Sequence, residues 1–69
     1  MKFIDFYTSY PDDLRRVARE CDTSIAYLSH IAYGHRQASH KLAKRIEAAT
    51  GGQVTKEELR PDIFGESAA

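Results

Sequence analysis

Leu14 to Gly34, LRRVARECDTSIAYLSHIAYG, decides the fold of this chain. Leu14, Val17, Ala18 and Cys21 recur at the i, i+3, i+4 and i+7 spacing that forms one apolar face of a helix. That helix is expected to end near Asp22, and the Thr23 hydroxyl is expected to cap the next one by accepting a hydrogen bond from a free first-turn amide. Leu28, Ile31 and Ala32 supply the second apolar stripe. Small Ala18 lets the second helix cross closely, while Leu28 and Ile31 fill the angle between the two. The pattern is that of a helix-turn-helix, with an ordinary helical hairpin as the plainer alternative.

Outward from that pair, the chain offers helical signals on both sides. Phe3, Ile4, Phe6 and Tyr7 predict a short first helix whose aromatic residues cover the core. Ser9, Tyr10 and Pro11 break it, and Pro11 suits the first turn of the next helix, where its missing N–H leaves nothing unpaired. Asp12 and Asp13 then lie at the positive end of a helix dipole. Gly34 is placed to stop the helix running from about Ser24 to Tyr33. Ser39 is expected to cap a fourth helix with Leu42, Ala43, Ile46 and Ala49 inside, ending at Thr50, Gly51 and Gly52. Thr55 and Glu58 have capping-box spacing for a short fifth helix through Leu59. Arg60 precedes Pro61 and is biased out of helix, so the chain is expected to run extended or turned through Asp62, Ile63 and Phe64.

The reading is an all-α fold, a small bundle of four or five helices containing a helix-turn-helix. One domain is expected over residues 1–64, with 65–69 as a disordered tail. Sixty-nine residues support one small core and no second lobe. With 1 cysteine, an intramolecular disulfide and a cysteine-based zinc site are both excluded, which fits a reducing, cytoplasmic setting. No apolar run is long enough to span a membrane. His30, His35 and His40 recur every five residues and share no helical face, so no metal is expected, and no cofactor. Cys21 reads as a buried small hydrophobe, and no nucleophile and base are placed to cooperate, so no enzyme is expected.

Net charge is +0, but its distribution is uneven. From Thr23 to Ile46 there is no acidic residue, while Arg36, Lys41, Lys44, Arg45 and all 3 histidines fall inside that run. Such polarisation fits a surface that meets double-stranded DNA. On the third helix, Leu28, Ile31, Ala32 and Ser24 are assigned by periodicity to the buried face. Ile25, Ala26, Ser29, His30 and Tyr33 are the candidate base readers. Ile25 and Ala26 suit thymine methyl groups, and Ser29 and His30 suit base edges. The candidate contacts to the DNA backbone are Arg15, Ser24, Tyr27, His35, Arg36, Ser39 and Lys41, with Arg36 first because no acid neighbours it.

Leu14 to Ile31 resembles the helix-turn-helix of phage repressor and Cro-type proteins, with Ala18, Leu28 and Ile31 at the signature positions. Arg45 to Phe64, RIEAATGGQVTKEELRPDIF, is similar to the tail of YdaS-type and Cro-like prophage regulators, a group that includes antitoxins; its IEAATGG and LRPD segments are the more specific part. Asp22 departs from the family pattern, which carries Gly there because the turn needs positive φ, a conformation Asp tolerates better than most residues. The resemblance implies a transcriptional repressor acting as a homodimer on a pseudo-palindromic operator, with half-sites about one DNA turn, roughly 34 Å, apart. Ile63 and Phe64 are candidate pairing residues. The alternative is an antitoxin or interaction module that meets a toxin protein directly, with Ile25, Tyr27 and Tyr33 as its partner surface.

Overall fold

The computed structural model describes residues 1–65, and all of its regular structure is helical. The order is α1 (Phe3–Ser9), a 3-10 turn (Pro11–Asp13), α2 (Leu14–Glu20), α3 (Ile25–Ala32), α4 (His40–Ala49), α5 (Lys56–Leu59) and α6 (Pro61–Phe64). The tail expected at 65–69 lies outside the described residues except for Gly65. α2 packs against both α3 and α4, α1 covers α3, α5 packs on α4 and α6 on α5.

The apolar stripes of the sequence form one core. Val17 and Leu28 are fully buried where α2 crosses α3, and Ile46, Val54 and Phe6 complete the largest buried side chains. Burying each removes apolar surface from water, contributing about 1.5–3 kcal/mol per side chain. Ala18, 5% exposed, keeps that crossing close. Tyr7, Leu42, Leu59 and Phe64 pack around the cluster as half-buried neighbours.

Three helices end in the same way. Past α2, the Asp22 amide donates to the Arg19 carbonyl and the Thr23 amide to the Ala18 carbonyl; past α3, Gly34 donates to Ile31 and His35 to His30; past α4, Gly51 donates to Ala48 and Gly52 to Glu47. Each is a Schellman closure, which satisfies orphan carbonyls by turning the chain through one left-handed residue. At the first, that residue is Asp22, φ 57°, where the second and third use glycine. α4 gains a further cap from outside, since Arg16 Nη1 on α2 donates to the Ala49 carbonyl at 2.9 Å. Thr50 is buried yet satisfied. Its hydroxyl donates to the Ile46 carbonyl at 2.8 Å and accepts from the Val54 amide at 3.2 Å.

One local expectation is corrected and one alternative is decided. Ser24, rather than Thr23, caps α3: its Oγ accepts from the Tyr27 amide at 3.1 Å, and its extended backbone is that of a cap. Thr23 has already turned its amide back into the α2 closure, and Ser24 is consequently exposed instead of lying on the buried face. At the other end, the turned alternative holds: Pro61–Phe64 is one helical turn. Arg60 does leave the helix, at φ −136° and ψ 71°. The restriction, however, falls on the residue before proline, and proline itself has the φ of a helical first position.

Candidate nucleic-acid interface

The face of α3 turned away from the core is exposed along its length. Leu28 and Ile31 face inward and Ala32 is half-buried, leaving Ile25, Ala26 and His30 exposed and Ser29 half-exposed. As eight residues, α3 extends about 12 Å, close to the roughly 12 Å width of the DNA major groove. Apolar residues on this face are unusually open to solvent: Ile25 is 38% exposed, Tyr27 36% and Tyr33 57%. Tyr33 is nonetheless braced, since the ring of Tyr7 on α1 meets it edge-on at 5.8 Å between centroids. His30 and His35 likewise meet edge-on at 6.0 Å across the Gly34 turn.

The candidate backbone contacts separate into three surfaces. Tyr27, Ser39 and Lys41 line one cleft between the start of α3 and the start of α4, joined there by Arg45 and also by Cys21, Asp22, Thr23 and Leu42. Ser39 caps α4, its Oγ accepting from the Leu42 amide at 3.1 Å, so the first amides of that helix lie beside the cleft. Arg15 lines a second hollow with Pro11, Asp12 and Ile25. Arg36 lines a third, between the end of α3, α1 and α5, with Lys2 and Glu58 among its neighbours. Ser24 is committed to its cap, and His35 lies exposed beside His30.

Charge pairing divides the molecule further. Arg16 pairs with Glu20, Lys56 with Glu47 and Glu57, and Arg60 with Asp62. These cations lie outside the acid-free run. Inside it, Lys44 lies over the ring of Phe64 at 5.8 Å, while Arg36, Lys41 and Arg45 form no ion pair or side-chain hydrogen bond among the described residues. Lys2, Arg15 and Arg19, which precede the run, are unpaired there as well. Arg45 was not among the residues singled out from sequence, although its position four residues after Lys41 puts both on one helix face.

Other chemistries find little support. Burial pushes the Cys21 thiol up, with Arg45 drawing it down less strongly and Glu20 raising it, so the thiolate is disfavoured. No group of three or more His, Cys, Asp or Glu residues among the described residues could hold a metal ion. No helix there is long and apolar enough to cross a membrane.

Among known proteins, residues 14–68 match the family described as Bacterial toxin YdaS. A prophage transcriptional regulatory protein of Escherichia coli (strain K12) is 40% identical to the chain over 48 residues, covering 70% of this chain and 73% of that protein. No solved structure matches.

Proposed function

The chain belongs to the YdaS family, and on that footing we propose that it is a prophage transcriptional regulator binding double-stranded DNA through α3. In this reading α3 enters the major groove. Ile25 and Ala26 pack on thymine methyl groups, Ser29 and His30 meet base edges, and Tyr33 stands at the far end of the helix. Arg36 and the Tyr27, Ser39, Lys41 and Arg45 cleft face the flanking phosphates, with Arg15, Ser24 and His35 as outer contacts.

The observation that carries the proposal is the contrast in pairing: cations around the exposed face of α3 are uncommitted, whereas Arg16, Lys56 and Arg60 are tied to carboxylates. Unpaired cations beside an exposed helix favour a polyanion. Action as a homodimer on a pseudo-palindromic operator, blocking transcription from a nearby promoter, is part of the same proposal. Of the two candidate pairing residues, Ile63 is 48% exposed, while Phe64 packs against the core.

Fluorescence anisotropy tests it, comparing DNA from upstream of the protein's own gene with a shuffled duplex at two salt concentrations. The expected result is binding to the first about 10³-fold tighter or better, weakening as salt rises. The exposure of Ile25 and Tyr27 on α3 and of Tyr33 at its C-cap favours a second reading, a module that meets a partner protein directly. Equal, weak binding to both duplexes is its expected signature.

A further inference from the structure

The loop that carries Arg36 and Ser39 is held from the far end of the chain. Ala38, between them, is fully buried, and its carbonyl accepts from Arg60 Nη1 at 2.8 Å, across 22 positions of sequence. The Arg60 guanidinium is itself oriented: Nε donates to Asp62 Oδ1 at 2.9 Å and Nη2 to Asp62 Oδ2 at 2.7 Å. A two-point fork of this kind fixes both the plane and the heading of the guanidinium. Its remaining edge then meets one backbone carbonyl, and the Arg60 side chain is only 17% exposed. The residue after Ala38 is Ser39, which caps α4, and two residues before it is the unpaired Arg36.

We propose that Arg60, aimed by Asp62, is a positioning residue for DNA binding: it pins the Ala38 carbonyl and so sets where Arg36 and Ser39 meet the phosphates. The inference rests on the DNA-binding reading above, but the pin is also observable without DNA. Arg60 acts through the loop and not as a phosphate contact, because its charge is spent on Asp62. Lysine is no substitute, since a single ammonium has no planar fork.

Asp62→Ala and Arg60→Lys test the proposal, with anisotropy on the upstream duplex and hydrogen–deuterium exchange on the free protein. Removing the Asp62 carboxylate makes the protein more positive, so charge alone strengthens DNA binding. Positioning has the opposite sign. The expected result is a loss of about tenfold in affinity for each variant, with the salt slope reduced by about one, as when a phosphate contact is lost. In the free protein, the Arg36 and Leu42 amides, bonded to the His30 carbonyl and Ser39 Oγ, exchange several-fold faster. The Thr50 and Val54 amides do not change. Undiminished DNA affinity of Asp62→Ala together with unaltered exchange overturns the proposal. If the wild-type protein itself binds neither duplex, the DNA reading fails, and faster exchange at Arg36 and Leu42 still separates a pinned loop from an unpinned one.

Discussion

Asp22 holds φ at 57° because the closure of α2 requires a left-handed residue there. That conformation costs an L-residue about 1–2 kcal/mol, and glycine avoids the strain while giving back roughly 0.5–1 kcal/mol in unfolded-state entropy. Asp22→Gly is therefore expected to raise stability by about 0.5–1 kcal/mol in denaturant unfolding, and Asp22→Val to lower it. The same Asp22→Gly change takes a carboxylate out of the Lys41 and Arg45 cleft, so tighter DNA binding is expected alongside. Leu28, with no exposed surface at the α2 and α3 crossing, is expected to cost about 2–5 kcal/mol when cut to alanine, through the cavity left behind. At the interface, Arg36→Ala is expected to weaken binding to upstream and shuffled duplexes alike, while changes at Ala26 or His30 alter the preference between sequences. Equal losses from both kinds of change count against α3 as the reading element. The positive φ of Asp22 was legible through the family resemblance, whose pattern carries glycine at that turn position. The α3 cap was not, because Thr23 and Ser24 carry the same chemistry at adjacent positions, and only the bond from the Thr23 amide to Ala18 decides between them.

Among the elements, α5 depends most on its own cap. It is four residues long, and Thr55 Oγ1 accepts from the Glu58 amide while Glu58 accepts from the Thr55 amide, at 3.2 and 3.1 Å. Thr55→Ala is expected to cost about 1 kcal/mol, read by thermal unfolding, and to loosen α5 from α4 before the core yields. This capping box was visible as a spacing of three residues, and the buried stripe of α4 as a period of 3.6. The exposed face of α3 followed from the same arithmetic, because Leu28 and Ile31 fix its inner side. Contacts between distant elements were not available to such reasoning. Nothing in the periodicity of α1 or α3 says that Tyr7 meets Tyr33, and nothing in the LRPD run says that Arg60 reaches Ala38. Arg45 was visible one turn after Lys41, but the cleft that joins it to Tyr27 and Ser39 exists only once α3 and α4 are packed.

For the molecule as a whole, charge is neutral in sum and sorted along the chain, with no acid from Thr23 to Ile46. Two of the paired carboxylates tie elements together: Glu58 on α5 holds the Met1 ammonium, and Glu47 on α4 holds Lys56 of α5. Glu58 lies below the usual carboxylate range chiefly because the Met1 ammonium bonds to it, with the Thr55 amide next, and Asp62 is lowered first by its bonds from Arg60. A carboxyl whose folded pKa is depressed contributes stability above its unfolded value and loses it as pH falls through the folded one. Thermal melts are therefore expected to show stability falling as pH drops below about 4, with a shallower fall in Glu58→Gln. Both groups are solvent-exposed, so salt is expected to blunt the effect. Stability against acid does not say which face meets DNA. That is decided by amide chemical shifts of the labelled protein titrated with the upstream duplex. The largest changes are expected at residues 24–33 and 35–45, with α5 and the Gly51–Gly52 turn nearly still. Largest changes on α5 and that turn, with α3 unmoved, contradict binding through α3.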